Sequence, residues 1–260
     1  MRTAQSNGRY ADVSDLQRAQ ERQHKKVQDT STDVEKGIAM GTVTILDAPK
    51  NPITLIGARA GVCWGADTSD DAKNYKRGLD CIQSGHGRTL EFVSVDMLLD
   101  GYSARVMREW YTHIGGAPTR LQASTRYIDY HDFECVIPPE IEKDIVKCNV
   151  YCTGIQHIRD AIQLLEEHGA KREDAAMLLP LGMTTRVVDK RNLRNLVDMS
   201  RQRMCNRAFW EFRQLFDDIS VALAYYSDEW GYIVDNLFYA KCEPDRKCPE
   251  KHGCGKYPNK

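Results

Sequence analysis

No stretch of this chain approaches the ~20 consecutive apolar residues that a membrane-spanning helix needs, and its polar N-terminus lacks the apolar segment of a secretory signal. Charge of one sign is missing as well. The 36 Lys and Arg face 37 Asp and Glu, a net charge of −1, so no global basic field draws the chain to nucleic acid. The nine cysteines are an odd, scattered number. That argues against a disulfide framework and for reduced thiols in a cytoplasmic protein. The last of them, Cys242, Cys248 and Cys254, stand with His252 in a short tail without a C-x-x-C hook, a weak pattern for zinc and more simply a tail of free thiols.

What is present suits one enzyme-sized domain. A chain of 260 residues, 42% of them hydrophobic, can bury a substantial core. Residues 1–40 form a polar extension, with runs such as QRAQERQHKK. Residues 41–238 form the main domain, and residues 239–260 form the Cys-rich tail.

The main domain is organised around Arg108–Tyr130, REWYTHIGGAPTRLQASTRYIDY. Ala104–Trp110 reads as the end of a helix. Gly115-Gly116 and Pro118 break it, and Gln122–Tyr130 then reads as a strand. With a period of two, Gln122, Ser124 and Arg126 share one face. An amide, a hydroxyl and a guanidinium in a row, close to Arg120, offer donors for an oxyanion such as phosphate.

Elsewhere, Thr42–Leu46 has β character and Ile53–Trp64 reads as a buried segment. A helix runs to Gln83, with Asp67, Thr68 or Ser69 as its N-cap, and an alternating strand begins near Phe92. After Pro138-Pro139 a long helix covers 140–168. Ile141, Ile145, Cys148, Cys152, Ile155, Ile158, Ile162 and Leu165 form its apolar stripe, which makes Cys148 and Cys152 core thiols. A second long helix is expected over 190–228. There Asn192 and Arg203 lie about three turns apart on one side, and Arg194, Asp198 and Arg201 form a charged stripe. The fold class is α+β: a twisted, mainly antiparallel sheet packed with long helices.

Four of these segments, in order, resemble motifs of the flavin-dependent thymidylate synthases. Ala58-Arg59-Ala60-Gly61 is similar to an early Ala-Arg-x-Ser element. His86 and Glu91, with Arg88 between them, resemble a His-x-x-x-x-Glu pair. His113 and Ser124-x-Arg126-Tyr127 resemble the signature, with Thr112 and Ile114 where arginines usually stand and Gln122 in place of Glu. Leu178–Thr185 and Asp189–Arg213 resemble the last motif, with Ala176 replacing an arginine, Asp198 replacing an asparagine, and Trp210 at the place of a structural tryptophan.

The resemblance implies FAD as cofactor, held by His86, Arg88, Glu91, His113, Asn192 and Asp198. It implies dUMP as substrate, held by Glu109, Arg120, Gln122, Ser124, Arg126 and Arg203, with Arg203 polarising the uracil carbonyl as the catalytic residue. NADPH and methylenetetrahydrofolate follow as co-substrates, dTMP as product, no cysteine nucleophile, and a homotetramer with shared sites. The alternatives are a same-fold enzyme making another 5-substituted pyrimidine nucleotide, or a non-catalytic nucleic-acid- or zinc-binding module.

Overall fold

The computed structural model describes residues 41–259; the polar extension lies outside the described residues. The chain runs through β1 (Thr42–Asp47), α1 (Pro52–Cys63), α2 (Asp71–Gln83), a 3-10 turn (Gly87–Phe92), β2 (Ser94–Ser103), α3 (Ala104–Trp110) and β3 (Thr119–Gln122). It continues through α4 (Pro139–Glu142), α5 (Ile145–Glu167), α6 (Arg172–Ala175), β4 (Thr184–Asn192), α7 (Leu193–Arg203), α8 (Trp210–Tyr226) and α9 (Asp228–Leu237).

The four strands form one antiparallel sheet in the order β1-β2-β4-β3, so the α+β expectation holds. In β2 the alternation works as read: Val95, Met97 and Leu99 are wholly buried. The opposite face of the sheet carries ion pairs between Asp100 and Arg186 and between Asp96 and Lys190. Phe212, Phe216, Ile219 and Leu223 of α8 join the core with Trp110 and Trp230.

Ile53–Trp64 is a helix, opened by Pro52 at its first turn. It lies so close to α2 that a Cβ on Gly57 would stand 1.8 Å from the Asn74 carbonyl oxygen. The cap of α2 is Asp70, which accepts from the Lys73 amide, rather than Asp67, Thr68 or Ser69.

The long helix expected after Pro139 is interrupted. Asp144 accepts from the amides of Val146 and Lys147 and so starts α5 afresh. Of the expected stripe only Ile155 and Ile162 are buried; Cys148 is half-buried and Cys152 exposed, their sulfurs 4.0 Å apart. Neither is a core thiol.

The helix expected over 190–228 is three elements. Asn192 closes β4 and caps α7, its Oδ1 accepting from the Asn195 amide at 2.9 Å. A loop over 204–209 then separates α7 from α8.

Gln122–Tyr130 is not a strand. β3 ends at Gln122, and the Ser124 hydroxyl accepts from the Arg126 amide to form a turn. Further along β4 the sheet edge is taken by another segment: the Thr184 amide donates to Glu134, and the Val136 amide to Gly182. Gln122, Ser124 and Arg126 therefore do not share a strand face.

Candidate active site

The strongest constellation surrounds Arg203, at the last turn of α7. Its Nε donates to His113 Nε2 at 2.9 Å, its Nη1 donates to Glu109 Oε2 at 2.7 Å, and its guanidinium lies 4.5 Å from the Phe212 ring centre. Among the described residues its Nη2 donates to nothing, which leaves one face of the fork for a ligand. Glu109 comes from α3, His113 from the loop after it and Phe212 from α8, so three separate segments surround one side chain.

An arginine only donates, so His113 Nε2 accepts and the ring proton sits on Nδ1. Burial, followed by the charges of Arg203 and Arg191, pushes the His113 pKa down from its ordinary 6.5 to about 4. The folded protein thus binds fewer protons here than the unfolded chain between those values. Stability contributed by neutral His113 is present above pH 6.5 and is lost as pH falls from there toward 4. An NMR titration is expected to show no protonation of His113 above about pH 5; a midpoint near 6.5 would contradict the clamp.

Behind this group lies a buried ion pair. Arg191 and Asp189 are both fully inaccessible, joined by Nε to Oδ2 at 2.6 Å and Nη2 to Oδ1 at 2.7 Å. Trp110 Nε1 donates to the same Asp189 Oδ1, and Arg191 Nη1 donates to Asn195 Oδ1. The network ties α3, β4 and the first turn of α7 together.

The glycine loop closes over that turn. A Cβ on Gly116 would stand 2.1 Å from Asn192 Nδ2, and one on Gly115 2.8 Å from Asn195 Nδ2. Gly116 also has φ +71°, a left-handed conformation suited to glycine.

The sequence-derived residues divide into two groups. Glu91 pairs with Arg194 on α7 at 2.6 Å, placing the 3-10 turn with exposed His86 and Arg88 beside that helix. With exposed Asp198 and with Asn192, Glu109, His113 and Arg203, these residues surround α7. The second group is elsewhere. Arg126 pairs with Glu173 at 2.8 Å, Gln122 donates to Thr185, and Arg120 donates to the Tyr111 carbonyl and stacks on its ring. Among the described residues no hydrogen bond or ion pair joins Ser124 or Arg126 to Arg203, Glu109 or His113.

Several individual expectations change. Glu109 engages Arg203 rather than standing open for a ligand. Gly61, at the place of the resembled serine, is buried beneath the Arg77 guanidinium: a Cβ there would stand only 2.4 Å from Arg77 Nη1, so the position leaves no room for a side chain. Trp210 is only half-buried; Trp110 and Trp230 are the fully buried tryptophans.

Among the described residues no cluster of three or more His, Cys, Asp or Glu is arranged to hold a metal. In the tail Cys242 and Cys248 are buried while His252 and Cys254 are exposed, and all nine thiols are free. Sequence reasoning missed Asp189, Arg191 and Asn195 as the support of the site.

The residues around α7 suit a flavin dinucleotide in kind. Arg88 and Arg194 supply donors for a diphosphate, and exposed Phe92 and Ile114 supply apolar surface for rings. The fold is α+β, an antiparallel sheet edged by a glycine loop, and its candidate site gathers around α7 and the clamped Arg203. The chain belongs to the thymidylate synthase complementing protein family, whose model matches residues 44–224. It is 28% identical over 241 residues to a flavin-dependent thymidylate synthase of Nitratidesulfovibrio vulgaris, covering 83% of this chain and 95% of that one. It is also 28% identical over 251 residues to the enzyme of that name from Clostridium tetani, covering 85% and 96% of the two chains. A third relative of the same name, from Pyrococcus furiosus, is 27% identical over 226 residues, covering 82% and 91%.

Proposed function

We infer that this chain is a flavin-dependent thymidylate synthase, making dTMP from dUMP with FAD as cofactor and with NADPH and methylenetetrahydrofolate as co-substrates. The observation that carries the reading is Arg203, held by Glu109 and His113 in a family-matched region with one nitrogen of its fork uncommitted.

Bound FAD supplies the hydride chemistry. The chain's own contribution is electrostatic. A fixed cation placed at a pyrimidine carbonyl oxygen withdraws electrons from the ring, and preorganisation in a partly dehydrated site is what makes such a charge effective. Neutral His113 accepts from Arg203 without adding a competing positive charge, and the Glu109 carboxylate stops the guanidinium from swinging away. His86, Arg88, Glu91, Asn192 and Asp198 are proposed for the flavin. Arg120, Gln122, Ser124 and Arg126 are proposed for dUMP.

The second group of residues, distant in hydrogen bonding from Arg203, has a use if two subunits build one site. We propose a homotetramer with shared sites. The exposed apolar residues of α5 support it: Ile145, Val146 and Val150 are each about two-thirds or more accessible, more than a solvent-facing helix needs to leave uncovered.

The direct test is an absorbance spectrum of the purified protein with added FAD. Bound flavin near stoichiometry, perturbed by dUMP, is expected; no binding at micromolar protein would defeat the reading. Light scattering checks the tetramer, and a monomer at micromolar concentration would sink that part. Activation without a thiol also predicts that Cys205→Ser keeps activity. A loss above roughly 100-fold in a folded variant would argue for a cysteine role.

A further inference from the structure

The C-terminal tail lies beyond the family-matched segment, 44–224, yet its described residues, 239–259, are folded onto the end of α7. The Lys241 amide donates to the Arg201 carbonyl at 3.0 Å, occupying one of the carbonyls a helix end leaves unpaired. Arg201 lies over the Tyr239 ring at 5.6 Å, and Arg207 reaches Glu250 at 3.7 Å. The tail is braced internally: Tyr257 donates to Glu243 at 2.7 Å, and the Cys248 amide donates to the Pro258 carbonyl at 2.8 Å.

Between tail and helix lies a cavity of about 730 Å³ whose charged lining is Asp198, Arg201, Arg203, Arg207, Lys241 and Glu250. With Arg203 already paired to Glu109, the three cations Arg201, Arg207 and Lys241 face Asp198 and Glu250, leaving one positive charge in excess. Glu250 pairs with both Lys241 and Arg207 and so holds these two cations side by side. Beside the clamped Arg203, such a pocket is built for a compact dianion. A phosphomonoester is one at neutral pH, with a charge of about −1.5 to −2, and the arginine fork matches its oxygens.

We propose that the tail makes this pocket a phosphomonoester site for the 2′-phosphate of the reductant, with Lys241 and Arg207 selecting the phosphorylated dinucleotide over its unphosphorylated form. The proposal rests on the synthase reading for the identity of the ligand. The nucleotide substrate also carries a phosphomonoester, but Arg126 and Ser124 are assigned to that one. The two reductants differ only in the group this pocket would hold, so any discrimination has to come from cations of this kind.

The test is calorimetry on the full chain without added flavin, using 2′,5′-ADP, 5′-AMP and dUMP as probes. Lys241→Ala and Arg207→Ala are expected to weaken 2′,5′-ADP at least 10-fold and to leave 5′-AMP and dUMP within 2-fold, with Lys241→Arg restoring most of the binding. In anaerobic flavin reduction the same variants should raise the half-saturating NADPH concentration and leave NADH unchanged.

Equal losses for 2′,5′-ADP and 5′-AMP, or a loss confined to dUMP, would overturn the proposal. So would wild-type protein that does not prefer 2′,5′-ADP. Failure of the synthase reading is seen separately, as an absent flavin spectrum. Both lysine and arginine are partly exposed, so these variants are expected to fold.

Discussion

Arg203→Ala is expected to lower kcat/KM for dUMP by roughly 10²–10³-fold in the folded fraction, the usual range for removing one preorganised donor from a developing oxyanion. The side chain is about a fifth exposed and its ion-pair partner Glu109 about a third exposed, so the change also strands a largely buried carboxylate, and unfolding is measured beside activity to separate the two losses. Arg203→Lys is not expected to rescue it. A lysine ammonium cannot make the Nε and Nη1 contacts to His113 and Glu109 together while leaving a further donor in the same plane.

A second readout separates a catalytic role from a merely structural one. The Arg203 charge is the second cause, after burial, of the depressed His113 pKa. In Arg203→Ala that pKa should move upward from about 4, and a ring titration by NMR would follow it. A variant with near-normal kcat/KM, or one whose His113 titration does not move, would remove Arg203 from the centre of the site.

How far the sequence could anticipate this depended on which physical signals were local. The alternation of Val95, Met97 and Leu99 announces β2 because one face meets the core and the other carries Asp96 and Asp100. The identical logic fails for β4. Its inward face is Thr185, Val187, Asp189 and Arg191, and two buried charges that satisfy one another read as a solvent-facing helix when their partner is unknown. For Ser124 and Arg126 the error runs the other way. Their polar alternation suits a strand, but Thr184 at the start of β4 is already paired with Glu134 and Gly182 just before it with Val136, and no sequence window reports that occupancy. Arg203, Glu109 and His113 were each identifiable as functional candidates. That Glu109 and His113 clamp Arg203 from two other segments was not, because it depends on where the end of α3 and the loop after it come to lie beside the last turn of α7.

The buried pair behind the clamp supplies the largest expected stability effect. Asp189→Ala should destabilise the protein by about 3–5 kcal/mol, because it leaves the Arg191 guanidinium uncompensated in a fully buried position. For a protein of this size the accompanying drop in Tm is on the order of 10 °C. It also strips Trp110 Nε1 of its acceptor. Replacing both partners by apolar residues, Asp189→Leu with Arg191→Met, should cost less than the single change, since no charge is then stranded.

The double variant is nevertheless expected to bind flavin poorly. Arg191 holds the Asn195 side chain, the Asn195 amide donates to Asn192, and both asparagines bear on the glycine loop at Gly115 and Gly116. With Arg191 gone, the first turn of α7 loses its anchor even where the core is stable. Denaturant unfolding of the two variants, set beside flavin titration, decides the matter. If the double change is at least as destabilising as Asp189→Ala, the pair is not the stranded-charge case described. If the double variant binds flavin as well as the parent, the buried pair serves the core and not the site.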